Sequence, residues 1–136
     1  RKVHDFLTVG AAAPLQEAAV AGLKLPDKYY IELKNLYTEK RTLFLKGLDE
    51  AGLKYYKPNG AYYVIVDVSE FNVKNDLKFC EWLAKEVGVG AVPGSSFFKE
   101  DVNYLIRLHF AKKDETLIKA IDRLKTLKDK VKFYTE

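Results

Sequence analysis

One arginine lies within an otherwise apolar run of this sequence. Arg107 is at the centre of Tyr104–Phe110, whose residues YLIRLHF are typical of a β-strand. An unpaired buried guanidinium is costly, so Arg107 requires either an acidic side chain or an anionic ligand. The planar fork of donors on arginine matches a carboxylate best. On spacing alone, a structural ion pair and a bound carboxylate explain Arg107 equally well.

Three other features could face a ligand, although each also has a structural explanation. The run Pro93–Phe97 could offer backbone N–H groups to an anion, or could be a plain connecting loop. Asn59–Tyr62 could approach a substrate, or could be only a tight turn in which Gly60 supplies the permissive backbone. His109 is more typical of a satisfied core or surface residue than of a catalytic base.

The composition is that of a folded protein that forms mainly one domain. Of 136 residues, 48% are hydrophobic and 31% are charged, which argues against disorder. No apolar run approaches the ~18 residues of a membrane span, and no signal-peptide pattern opens the sequence. Cys80 is the single cysteine, which excludes an internal disulfide and predicts a cytoplasmic location. His4, Cys80 and His109 do not form a metal-ligand pattern.

The net charge of +4 is concentrated near the end of the sequence. The segment Lys112–Lys132 contains eight Lys or Arg and four Asp or Glu, and eight minus four equals the whole excess. This pattern indicates the solvated face of one terminal helix. Nucleic-acid binding is a distant alternative, and we predict neither a nucleic-acid nor a membrane partner.

Periodicity and turn residues predict the order α-β-β-α-β-β-α over residues 27–136, after an N-terminal helical segment. We expect an α/β (α+β) sandwich in which a small mixed or antiparallel sheet is covered by helices. The predicted helices are Pro14–Leu23, Lys28–Ala51 with Asp27 as its N-cap, a helix capped by Asn75 or Asp76 that runs to about Val87, and Glu115 to about Phe133 with Asp114 as its N-cap. The predicted strands are Leu53–Lys57, Ala61–Val68, Val89–Val92 and Tyr104–Phe110, and the first two are expected to pair as a hairpin or a close antiparallel unit.

The first 25 residues differ from those that follow. Arg1–Leu7 is typical of a helix end, and Thr8–Pro14 is a loop of small residues. The alanine-rich helix after it should pack against something large that this sequence does not contain. Because the sequence has no methionine, we expect a fragment, a processed product or a trimmed chain. We predict residues 1–25 as the remnant of a larger domain and residues 26–136 as a small C-terminal domain.

Five segments, in order, resemble the C-terminal part of class I/II aminotransferases, which are fold-type I enzymes that use pyridoxal phosphate (PLP). The likeness is greatest to the aspartate/aromatic and kynurenine aminotransferases and extends over nearly the whole sequence. The segments are Thr8–Gln16 (TVGAAAPLQ), Pro58–Tyr63 (PNGAYY), Val92–Phe97 (VPGSSF), Ile106–Ala111 (IRLHFA) and Asp114–Leu117 (DETL).

The resemblance assigns roles to individual residues. It implies that Arg107 binds the substrate α-carboxylate and that Asn59, Gly60 and Tyr62 belong to the loop that approaches the substrate side chain. Pro93–Ser95 matches the turn that leads into the arginine strand. The implied reaction moves an amino group from an amino acid to a 2-oxo acid, with PLP as electron sink. A homodimer is implied for the full-length enzyme.

The lysine that forms the Schiff base in this family has no match in the sequence. The resemblance therefore implies no catalytic residue in this chain and PLP only in the full-length enzyme. We expect this chain alone to be inactive and to bind no PLP. A related PLP-dependent C–S lyase or decarboxylase, and a non-enzymatic amino-acid-binding or dimerisation module, remain as alternatives.

Overall fold

The computed structural model describes residues 3, 7 and 10–134. The chain forms two compact units, residues 1–35 and residues 36–136. The division falls inside one long helix, so that helix contributes to both units. The predictions for Arg1–Leu7 and for Thr8–Val9 fall largely on residues outside those described.

The first unit contains helix α1 and the beginning of helix α2. Helix α1 spans Ala13–Leu23 and begins with Pro14 in its first turn, as predicted, since proline tolerates the missing N–H bond there. None of its eleven residues is buried. Tyr30 of α2 donates a hydrogen bond of 2.7 Å from its hydroxyl to the carbonyl of Gly22, so the end of α1 is fixed to α2.

The second unit is built on a four-stranded antiparallel sheet in the order β1-β2-β4-β3. The strands are β1 Lys54–Tyr56, β2 Tyr63–Asp67, β3 Val92–Pro93 and β4 Leu105–His109. The predicted strands Leu53–Lys57 and Ala61–Val68 are confirmed as the antiparallel pair β1 and β2, and the predicted arginine strand is confirmed as β4. The prediction of a strand over Val89–Val92 is wrong in its bounds, because only Val92 and Pro93 pair with β4.

Four helices accompany the sheet in the predicted order. They are α2 Asp27–Glu50, α3 Asp76–Trp82, α4 Asp114–Lys125 and α5 Leu127–Lys130, with a π-helical turn Leu83–Val87 after α3 and 3-10 turns at Ser69–Phe71, Gly94–Phe97 and Val131–Phe133. Asn75 is the N-cap of α3, and its side chain accepts a bond from Lys78 N.

Three details of the helix predictions are wrong. Asp27 and Asp114 are the first residues of their helices rather than caps. Asp114 instead pairs with Lys40 at 2.7 Å. The predicted single terminal helix is interrupted at Thr126, whose hydroxyl bonds back to the carbonyl of Arg123.

The core lies on one face of the sheet. Alternate strand residues such as Val64, Val66, Ile106 and Leu108 point to this face and are buried. The helices cover them with residues that include Phe44 and Leu48 of α2, Phe79 of α3 and Leu117 and Leu124 of α4. Burying each such side chain stabilises the fold by about 1.5–3 kcal/mol. The opposite face of the sheet therefore carries the other set of strand residues, including Arg107.

No helix within residues 10–134 is both long enough and apolar enough to cross a membrane.

Candidate functional site

Arg107 occupies the third position of β4 and belongs to a row of residues that crosses all four strands. In the register of the sheet, Tyr56 lies opposite Ile65, Ile65 opposite Arg107, and Arg107 opposite Val92. Directly paired residues share one face of a sheet. Arg107 is thus central on the face opposite the core, and it is half-buried.

Two aromatic rings hold the guanidinium of Arg107. Its central carbon lies 4.0 Å from the centroid of the Phe97 ring and 4.8 Å from that of the Tyr63 ring. Each cation–π contact is worth about 0.5–2 kcal/mol, depending on how far water is excluded. Because an aromatic ring supplies no oxygen or nitrogen acceptor, these contacts leave the N–H groups of Arg107 available for a ligand.

Arg107 makes no ion pair and no side-chain hydrogen bond with any of the described residues. The ion pairs that occur among those residues involve other cations, such as Lys40 with Asp114 and Lys125 with Glu50. The structural ion pair considered from the sequence is therefore not found among residues 3, 7 and 10–134. A planar anion would match the free donors of Arg107.

The turn that carries Phe97 is fixed by a buried carboxylate. Asp76, at the start of α3, is 3% exposed and accepts hydrogen bonds from the backbone N of Ser95 at 2.7 Å and from its hydroxyl at 2.9 Å. At Gly94 a Cβ would lie 2.5 Å from the carbonyl oxygen of Leu105, so the turn packs against β4 with no room for a side chain. In the segment Pro93–Phe97, which could have been a plain loop, Pro93 thus belongs to β3 and Gly94–Phe97 forms an ordered 3-10 turn.

The loop Asn59–Tyr62 connects to Arg107 only through its last residue. Tyr62 packs edge-to-face on Tyr63 with ring centroids 5.7 Å apart, and Tyr63 contacts Arg107. Among the described residues, Asn59 and Gly60 make no hydrogen bond or ring contact with Arg107. The loop is held from the other side by Arg41, which donates to the carbonyl of Pro58 at 3.1 Å.

The predicted role of Gly60 as the permissive residue of this turn is wrong. The residue with a positive φ is Ala61, at 59°, whereas Gly60 lies outside that region. An alanine in the left-handed region costs about 1–2 kcal/mol. Such strain persists only where the surrounding structure enforces it, and it is common at ligand-binding sites.

His109 and Cys80 differ in their surroundings. His109 is an exposed residue at the end of β4, opposite Tyr63. Partial burial lowers its pKa, and the nearby charges of Lys112 and Arg107 lower the pKa further.

Cys80 is 6% exposed, and burial, with a smaller contribution from Asp76, raises the pKa of its thiol to about 12. Cys80 is thus a residue of the hydrophobic core.

Sequence reasoning missed the roles of Asp76 and Phe97 at this site. Asp76 was a candidate cap, and Asn75 performs that function, so the Asp76 carboxylate is available to bind Ser95. One signal was available in the sequence. Asn75 alone is sufficient to cap the helix, so the adjacent Asp76 is free for another role. Phe97 belongs to the recognised segment Val92–Phe97, but its ring contact with Arg107 depends on the β3–β4 connection, which the sequence does not reveal.

The residues described in this chain offer no buried lysine for a Schiff base with PLP. A Schiff-base lysine requires a shielded environment that shifts its protonation, as desolvation does. Asp76 is the one buried charged side chain among the described residues, and no lysine is buried there. No three His, Cys, Asp or Glu side chains within the described part of the chain converge as a metal site would require.

The fold and the recognised segments define a family. The family model described as "Aminotransferase class I and II" matches residues 1–124. The chain therefore belongs to the class I and II aminotransferases, and the resemblance stated from the sequence is confirmed.

Similar proteins agree with this assignment. A methionine aminotransferase of Escherichia coli strain K12 is 38% identical over 128 residues, which cover 93% of this chain and 33% of that protein. A kynurenine–oxoglutarate transaminase of Dictyostelium discoideum is 31% identical over 147 residues, covering 92% and 34% respectively. The solved structure of N-succinyldiaminopimelate aminotransferase from Mycobacterium tuberculosis matches with a TM-score of 0.76 and 32% identity, over 90% of this chain and 33% of that one.

The chain spans about one third of the length of these relatives.

Proposed function

We propose that this chain supplies the substrate-carboxylate site of a PLP-dependent aminotransferase, which moves an amino group from an amino acid to a 2-oxo acid. The observation that carries this proposal is the environment of the Arg107 side chain. Its guanidinium is held by the rings of Phe97 and Tyr63, while none of the described residues occupies its N–H donors. A site prepared in this way favours a planar carboxylate, which both substrates of the reaction carry.

In this proposal, Arg107 binds the α-carboxylate and fixes the orientation of the substrate. Orientation of a bound reactant is itself a large source of rate enhancement. Tyr62, which packs on Tyr63, lies beside the bound molecule, and Asn59 and Gly60 approach its side chain from the same loop. The identity of the amino donor is left open, since the relatives act on different amino acids according to their names.

PLP and the Schiff-base lysine belong, in this proposal, to a part of the protein outside this sequence. Residues 1–25 would be the end of the PLP-binding domain and residues 26–136 the small C-terminal domain. The complete enzyme would be a homodimer. A cytoplasmic location stays a prediction from the single cysteine.

The test of Arg107 uses the complete enzyme that carries this chain. Arg107→Ala removes about two charge-assisted hydrogen bonds, each worth about 1.5–3 kcal/mol, so kcat/KM for the amino acid should fall by about 100-fold or more. Arg107→Lys should recover only part of this loss, because a lysine cannot form the bidentate pair. Lys54→Ala, an exposed change on the edge strand β1, is the matched control.

A substrate that lacks the carboxylate shows whether Arg107→Ala weakens carboxylate binding or disturbs the structure of the enzyme. The wild-type enzyme should strongly prefer an amino acid over the corresponding amine, and Arg107→Ala should abolish most of that preference by affecting only the amino acid. Equal losses for both substrates would show that Arg107 supports the structure instead.

The chain by itself is proposed to be inactive and to bind no PLP covalently. After incubation with PLP and reduction with borohydride, mass spectrometry should find only scattered, substoichiometric labelling of the exposed lysines. Stoichiometric labelling of one lysine would contradict this part of the proposal without affecting the role of Arg107.

A further inference from the structure

A cavity lies beside the end of β4, where Leu108 and His109 both line it. It has a volume of about 360 Å³, and its floor is formed by Phe44, Val89, Leu108 and Leu117. All four side chains belong to the buried core. Cavities of about 300–1,000 Å³ with mainly apolar walls are typical of small-molecule sites. Arg107 is not among the residues that line it.

Three cationic side chains stand at the rim of this cavity. They are Lys112, after β4, and Lys119 and Arg123, one turn apart on α4. The spacing of 119 and 123 places both on the same side of the helix. Arg123 donates one bond of 2.7 Å to the carbonyl of Gly88, which orients its guanidinium along the rim.

These three cations lack carboxylate partners, unlike several of their neighbours. Within the described part of the chain, none of the three is in an ion pair, and no aspartate or glutamate lines the cavity. By contrast, Lys125 pairs with Glu50 at 2.8 Å and Lys128 pairs with Glu70 at 3.3 Å. The basic C-terminal segment is therefore not a uniformly solvated face. Three of its charges that lack a carboxylate partner, those of Lys112, Lys119 and Arg123, surround one concave, apolar site.

We propose that this cavity binds a small amphipathic anion, a phosphate monoester carried on an apolar or aromatic body. The floor would contact the apolar body, and Lys112, Lys119 and Arg123 would surround the phosphate. Three cations without internal anions favour a dianion, and a low-dielectric floor beneath them strengthens the attraction. This site is independent of the proposed carboxylate site at Arg107.

The test measures binding of phenyl phosphate to the complete protein by calorimetry at low ionic strength, where exposed charges are least screened. Phenol tests the contribution of the aromatic body alone, and inorganic phosphate tests the contribution of the charge alone. Phenyl phosphate should bind with a stoichiometry of one per chain and more tightly than either part. Phenol binding as tightly as phenyl phosphate would overturn the proposal.

Charge reversal localises the binding. Lys119→Glu and Lys112→Glu should each weaken phenyl phosphate by about tenfold or more, because an attraction becomes a repulsion. Lys78→Glu, an exposed reversal on α3 outside the cavity, should change the affinity by less than about twofold. Both changes within the cavity involve exposed lysines, so the variants should fold.

A steric variant tests the apolar part separately. Ala120 lines the cavity and is half-buried, so Ala120→Leu would fill part of its volume. This variant should lose phenyl phosphate binding while Arg107→Ala retains it. The proposal fails if the complete protein does not bind phenyl phosphate, or if both lysine reversals leave its affinity unchanged.

Discussion

Asp76 accepts two hydrogen bonds from Ser95, a residue 19 positions further along the chain. The carboxylate is buried at the start of α3, and the serine lies in the turn that places Phe97 against Arg107. A helix on the core side of the sheet thus fixes an aromatic ring on the other side. The proposed ligand site depends on this connection as well as on the residues that would touch a ligand.

The first prediction concerns this pair. Ser95→Ala removes the hydroxyl bond and keeps the backbone bond, and a hydrogen bond to a charged group contributes about 1.5–3 kcal/mol. Asp76→Ala removes both bonds and should lower the free energy of unfolding more than Ser95→Ala does. Urea denaturation monitored by circular dichroism measures both. If the two variants lost the same free energy of unfolding, the hydrogen bond from the backbone N of Ser95 would not contribute to stability.

The second prediction concerns the close packing of the turn on β4. Gly94→Ala would place a Cβ 2.5 Å from the carbonyl oxygen of Leu105, so the backbone must shift. Overpacking of this kind costs about 1–3 kcal/mol. Gly90→Ala is the control, since a Cβ there has no atom within 4 Å. Thermal unfolding should separate the two variants; equal melting temperatures would show that the turn relaxes without cost.

The third prediction uses His109 as a reporter of the charge on Arg107. Burial and the charges of Lys112 and Arg107 hold the pKa of His109 below its ordinary value of 6.5. Arg107→Ala and Lys112→Ala should each raise this pKa, as measured by NMR titration. Lys78→Ala should leave it unchanged. A pKa that falls in Arg107→Ala would mean that loss of the neighbouring charge is outweighed by deeper burial.

The same shift gives the sign of a pH effect on stability. Because the pKa of His109 is lower in the folded state, the unfolded state binds more protons between the two pKa values. The stabilisation is therefore complete above the ordinary pKa of 6.5 and is lost as pH falls through the lowered folded value. His109→Gln should reduce the pH dependence of the free energy of unfolding in this window.

The fourth prediction concerns the reactivity of Cys80. A thiol with a pKa of about 12 is almost entirely protonated at pH 8, and Cys80 is also 6% exposed. Iodoacetamide should therefore modify the native chain very slowly and the urea-unfolded chain rapidly. The rate should follow the unfolding transition as urea is added. Fast labelling without urea would place Cys80 in a locally opening region.

The order of the elements and the family could be predicted from the sequence, because both depend on local patterns. Val64 and Val66 alternate with less buried residues, and the run Ile106–Ala111 follows Val92–Phe97 in the expected order. The residue Gly60 shows the limit of such reasoning. Glycine permits a positive φ but does not require one, and the loop imposes that conformation on Ala61 instead.

The parts that could not be predicted depend on contacts between distant segments. Whether Arg107 meets an acid or two aromatic rings is decided by the strand order β2-β4-β3, which brings Tyr63 and Phe97 to it. The apolar stripe of α2 is another case. Phe44 and Leu48 are buried, whereas Leu36, at the same helical spacing, remains 45% exposed. Periodicity alone cannot show at which residue of a helix the contact with the core ends.

The short edge strands of the sheet have a consequence for self-association. Strand β3 has two residues, one of which is Pro93 and has no N–H to donate, and β1 at the opposite edge has three. Edges of this kind present too little unpaired backbone to recruit a strand from another molecule. Copies of this chain at high concentration should therefore resist amyloid-type growth, and any contact between them should be made by side chains.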